Sequence, residues 1–145
     1  MKPTIAALLL GGLAVVCTGC DNGSSSSDST PTAPTTALVT ENFTGTVDPG
    51  GAASNPFTVA ASGGQVNVTL TAAGPPTTIY MGLGVGTWTA SSSTCTLLTN
   101  GYTLTPAGTT AQLSGTVNAG AYCVQIFDAG NQTAQITYAV TVTHY

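Results

Sequence analysis

From residue 37 onward, apolar side chains recur at every second position in short runs, and no stretch holds a helical period. The clearest run is "GQVNVTLTA" (Gly64–Ala72), with Val66, Val68 and Leu70 on one face and Asn67, Thr69 and Thr71 on the other. "TTIYMGLGV" (Thr77–Val85) places Ile79, Met81, Leu83 and Val85 on one face, while on its other face Tyr80 is followed by Gly82 and Gly84. "ENFTGTV" (Glu41–Val47), "NPFTVAA" (Asn55–Ala61), "AQLSGTV" (Ala111–Val117), "AYCVQIFD" (Ala121–Asp128) and "QITYAVTVT" (Gln135–Thr143) carry the same alternation, and a weaker strand is expected near Cys95–Leu98.

The connections have turn chemistry. "DPGG" (Asp48–Gly51) puts Pro and then Gly where a type II turn wants them. "SGG" (Ser62–Gly64), "NAG" (Asn118–Gly120) and "DAGN" (Asp128–Asn131) serve similarly. About seven or eight short strands with turn signals between them predict an all-β sandwich or barrel. One polar face per strand favours a two-layer antiparallel β-sandwich. "FTGTVDPGG" (Phe43–Gly51) echoes "LSGTVNAGA" (Leu113–Ala121), which repeated hairpin chemistry explains as well as duplication does.

The segment before this domain has a different pattern. Lys2, the apolar run Ile5–Val16, and the small residues Thr18 and Gly19 read as an export signal over residues 1–19. The run is shorter than the roughly 20 residues a membrane span needs. "CTGC" (Cys17–Cys20) resembles the lipobox of bacterial lipoproteins, with Cys17 in place of the usual branched residue. That resemblance implies cleavage before Cys20, lipidation of its thiol, and a cell-envelope address, in the inner or the outer membrane. Two or more acyl chains make such an anchor stable. The Ser-, Thr- and Pro-rich stretch that completes residues 20–36 has no aromatic and no periodicity, and is expected to be a disordered tether. Residues 37–145 then form the folded domain, which is of ordinary single-domain size.

Charge narrows the function. Lys2 is the only Lys or Arg in the chain, and the net charge is −4. Phosphate backbones are bound by displacing counterions with cationic side chains, so a nucleic-acid partner is excluded. Arginine-based anion recognition is excluded likewise, and trypsin-like proteases find no site beyond Lys2.

Cys95 and Cys123 are the cysteines within the domain. A metal or redox pair is one reading; a structural disulfide is favoured, because no third ligand is near and no Cys-x-x-Cys occurs. Closing that loop would stabilise by about 3.5 kcal/mol in the chain-entropy model. It would also pin the segment "GTWTASSST" (Gly86–Thr94), expected to be a long mobile loop, to the sheet.

Catalytic constellations are sparse. Glu41, Asp48 and Asp128 are the carboxylates of the domain, and the two aspartates sit in turns, where Asx hydrogen bonding is their ordinary work. His144 lies near the C-terminus, expected to be too loosely held for a general base. No G-x-S-x-G occurs, zinc ligands are too few, and "GLGVG" (Gly82–Gly86) lacks the helix and Lys of a phosphate loop. The expectation is therefore no enzyme, no metal and no cofactor. Trp88, the only Trp, and Tyr102 are both expected in loops. An exposed Trp88 could stack on a sugar or a partner's apolar surface, with Tyr102 extending the platform; equally, it could close one end of the core.

With "FTGTVDPGGAASNPFTV", "GGQVNVTLT" and "AGAYCVQIFDAGNQTAQITYAVTV" in view, the domain resembles the bacterial pre-peptidase C-terminal (PPC-like) domain over about Glu41–Val142. The resemblance implies a β-sandwich of jelly-roll type that is usually appended to secreted peptidases and is itself non-catalytic. Relatives often carry aspartates in the middle strand, where "TTIYMGL" (Thr77–Leu83) has none, so calcium is not expected. The function expected from the whole is a lipid-anchored envelope module that binds a glycan or a protein. The alternative is a protease-resistant structural or assembly component of the cell surface.

Overall fold

The computed structural model describes residues 37–60 and 62–145. The expected signal, the Cys20 lipidation site and the tether lie outside the described residues. Among the described residues there are eight strands: β1 (Val39–Val47), β2 (Ala52–Val59), β3 (Gly64–Gly74), β4 (Met81–Thr89), β5 (Thr94–Thr105), β6 (Leu113–Val117), β7 (Gly120–Asp128) and β8 (Ile136–His144). They form two four-stranded sheets, sheet A in the order β1-β8-β3-β6 and sheet B in the order β2-β7-β4-β5. All the pairings are antiparallel. The all-β sandwich read from the alternation is therefore present.

The pairing is nested. β4 meets β5, β3 meets β6, β2 meets β7, and β1 meets β8. The chain is thus one long double ribbon folded over on itself, the double Greek key of a jelly roll. Only the β4–β5 connection stays within a sheet; every other one crosses between layers. The echoing segments Phe43–Gly51 and Leu113–Ala121 both make that crossing, from β1 to β2 and from β6 to β7. In the first, Gly50 takes φ 71° and Gly51 N–H bonds to Asp48 O at 2.8 Å, as a type II turn requires.

The inner faces make one core. Val66, Val68 and Leu70 of β3 and Ile136, Tyr138, Val140 and Val142 of β8 pack against Met81, Leu83, Val85, Val124 and Ile126 of sheet B. The Asn55 side chain reaches across the layers and donates to Tyr138 Oη at 3.0 Å, so the buried phenol is partnered. Beneath it, Gly45 leaves room: a Cβ there would stand 2.7 Å from that oxygen.

Several boundaries differ from the sequence reading. β4 starts at Met81 because Pro75 and Pro76, followed by Thr77 and Thr78, form a turn. β2 starts at Ala52, because it pairs with β7 from Phe127 back to Gly120. The segment Gly86–Thr94 is not a long loop. It is the end of β4, a tight turn at Ala90–Ser93, and the start of β5.

Each of the four edge strands carries its own obstacle to edge pairing. β1 points Glu41 inward, opposite the buried Val142. β2 contains Pro56, which has no N–H to offer. β5 is interrupted between Leu97 and Tyr102 by a bulge in which Asn100 has φ 61°. β6 is only five residues long. These are known defences against open sheet edges, used here without a single lysine.

Candidate functional site

The outer face of sheet B carries the candidate residues. Along β4 that face reads Gly82, Gly84, Gly86, Trp88, because Met81, Leu83 and Val85 take the core side. The missing side chains let neighbours lie down on the strand. Phe127 covers Gly82, Leu97 covers Gly84, and the β5 backbone at Thr96 crosses close over Gly86. Cys95 is paired with Trp88 and Cys123 with Gly86, so the two cysteines lie on either side of β4. They are bonded, with Cα atoms 5.8 Å apart, across a strand whose glycine has no side chain in the way. The disulfide expected from the sequence is thus present, and it ties β5 to β7 over the top of β4.

The expectation that Trp88 and Tyr102 are loop residues is corrected: both stand on strands, Trp88 in β4 and Tyr102 in β5. They share the outer face of sheet B, but the structure does not bring them together. Tyr102 is paired with Gly84 and leans towards Phe127, with ring centroids 6.2 Å apart. Trp88 lies four positions further along β4, about 14 Å at the usual strand rise, with the disulfide between. Near Tyr102, Leu104 and Tyr80 are also exposed, which makes an apolar patch of its own.

Trp88 is half-buried and lines a cleft of about 400 Å³ with Val39, Glu41, Pro56, Phe57, Thr58, Ala121 and His144. The cleft draws on both sheets where β1 and β2 run at the same side of the sandwich. His144 was expected to be loosely held, and that expectation is overturned: it is 2 % exposed, at the end of β8 and paired with Val39. Its Nε2 lies 2.9 Å from Glu41 Oε1, its Nδ1 lies 3.2 Å from Tyr145 O, and its ring stands 5.3 Å from that of Phe57. Both ring nitrogens therefore face oxygen acceptors, and neither is presented to the cleft as a base.

The remaining carboxylates are engaged elsewhere. Asp48 Oδ1 accepts from Gln135 Nε2 at 2.8 Å. Asp128 ends β7 and accepts backbone N–H bonds from Gly50 at 2.8 Å, Gly130 at 2.8 Å, Asn131 at 3.1 Å and Gln132 at 3.2 Å. The Gly50 N–H foremost, with the other three, holds its carboxyl below the usual aspartate value of 3.8, against a smaller desolvation effect. Among the described residues no cluster of His, Cys, Asp and Glu is large enough to hold a metal.

Sequence reasoning missed Glu41, Phe57, Thr58 and His144 as neighbours of Trp88. Their meeting depends on the β1–β8 and β2–β7 registers, which no local pattern encodes. The one available signal was Glu41 itself, a charge on the apolar parity of a strand. No protein-family model matches this sequence, and no curated protein matches it.

Proposed function

We propose that this chain is a lipid-anchored, non-catalytic binding module of the bacterial cell envelope, of the PPC-like kind, which takes a glycan or protein partner at the Trp88 cleft. The observation that carries the reading is Trp88, half-buried in a cleft of about 400 Å³. That volume falls within the range of small-ligand sites. The strands on either side of the one that presents Trp88 are joined by the Cys95–Cys123 bond, which restrains the backbone around it. Attachment rests on Cys20, the tether and the "CTGC" motif.

Fractionation tests the address. Wild type is expected in the membrane fraction, with an acylated Cys20 at its N-terminus by mass spectrometry, and Cys20→Ala is expected in the soluble fraction. An unacylated mature N-terminus would overturn the anchor. Photo-crosslinking from the cleft in intact envelopes tests the binding role, which fails if wild type and Trp88→Ala give the same products. A second reading, a packing or assembly component of the surface, is favoured by the exposed patch of Tyr80, Tyr102 and Leu104. It predicts crosslinks through Tyr102 to a neighbouring envelope protein or to another copy.

A further inference from the structure

The binding reading leaves the ligand's chemistry open, and the charges of the domain narrow it. Residues 37–145 contain no Lys or Arg. The single histidine is buried and both its nitrogens are committed. An anionic ligand therefore finds no counter-charge. A cationic ligand fares little better: Glu41 takes the His144 ring, Asp48 takes Gln135, and Asp128 takes backbone N–H groups. Burying a charge without a free partner is costly, so the cleft disfavours both signs.

An extended peptide is disfavoured by the strands that bound the cleft. Adding a strand requires an open ladder of N–H and C=O groups. On β2 the lining residue Pro56 lacks the N–H, and on β1 Glu41 turns inward at the edge. What the lining does offer is a broad amphipathic ring at Trp88, the apolar ring of the exposed Pro56, and the Thr58 hydroxyl. That combination fits a pyranose. Its C–H face is apolar and stacks on indole, while its rim of hydroxyls both donates and accepts hydrogen bonds.

Resting on the binding-module reading, we infer that the Trp88 cleft takes an uncharged saccharide, with one sugar ring stacked on Trp88 and its hydroxyls turned towards Thr58. Selection between neutral and charged glycans then comes from the absence of countercharge, and stacking supplies the affinity.

The test is affinity electrophoresis of the full-length chain, in a detergent without a sugar headgroup, through gels holding one soluble polysaccharide each. The neutral probes are a β-glucan, a mannan and a xyloglucan; the charged ones are polygalacturonate and chitosan. At least one neutral polymer is expected to retard the protein and neither charged one to do so. Trp88→Ala is expected to weaken the retardation by about tenfold, and Trp88→Phe to keep most of it. Thr58→Val weakens it without touching the ring, which guards against a folding defect in Trp88→Ala, and Thr44→Ala on the far face leaves it unchanged. Retardation by a charged polymer as strong as by a neutral one would overturn the inference, as would undiminished binding by Trp88→Ala. If no neutral polymer binds but a protein crosslinks through Trp88, the saccharide is wrong and the binding module stands. If neither occurs, both fail.

Discussion

The two outer faces of the sandwich solve opposite problems. The outer face of sheet A is a field of short polar side chains. Thr40, Asn42, Thr44 and Thr46 of β1 stand opposite Thr143, Thr141, Ala139 and Thr137 of β8. They bond to one another, as where Thr141 Oγ1 donates to Asn42 Oδ1 at 2.7 Å and Ser114 Oγ donates to Asn67 Oδ1 at 2.6 Å. Threonine is β-branched and hydroxylated, so one residue type satisfies both the strand and the water. The outer face of sheet B has the reverse pattern, with its central strand stripped to Gly82, Gly84 and Gly86 and the large rings at its two ends. The first face offers water hydroxyls and amides in place of charges. The second lets the Phe127 ring, the Leu97 side chain and the Thr96 backbone lie directly against the strand. The difference teaches that removing side chains is as much a construction device as adding them.

That asymmetry can be attacked in order of expected effect. Replacing both Cys95 and Cys123 with Ser should cost about 3.5 kcal/mol in the chain-entropy model, read as a lower denaturant midpoint and a lower melting temperature. Reducing the wild type should reproduce it. Gly86→Val comes next, because any Cβ there meets the backbone of Thr96. A loss of about 2–3 kcal/mol is expected from such overpacking. Gly82→Ala should cost less, about 1 kcal/mol, because the obstacle is the Phe127 ring, which can swing aside.

The Asp128 turn at the end of β7 makes a smaller contribution, confined to acid. Its carboxyl is held below the usual value when folded, so it stabilises the fold above that value and the contribution is lost as pH falls through the folded one. Wild type should therefore lose stability below about pH 3.8, and Asp128→Asn should show a flatter acid limb in pH-dependent melting. Thr44→Val on sheet A should stay within about 0.5 kcal/mol. A Thr44 effect as large as that of Gly86 would dissolve the contrast between the faces.

Much of the sandwich was legible because it is local. Val66, Val68 and Leu70 alternate on one strand, and "DPGG" states its own turn. The partial misreading of β4 and β5 is physical too. "GTWTASSST" has the small residues of a loop, but a tight turn needs only Ala90–Ser93, and the flanking residues are recruited into strands by pairing. Trp88 stood out by composition alone. Its cleft did not, because Glu41 and His144 lie at opposite ends of the domain and meet only through the β1–β8 register.

That same register has a consequence for how the domain is made. Among the strands of the described residues, β1 is synthesised first and its ladder partner β8 last. Until β8 arrives, β1 has no ladder partner and Glu41 has no imidazole to meet. Closure of so distant a pair is entropically slow. The ribbon can be zipped from its β4–β5 tip beforehand, but it latches only when the final strand is delivered, so a molecule truncated ahead of β8 should remain open and vulnerable to proteases that cleave at apolar residues.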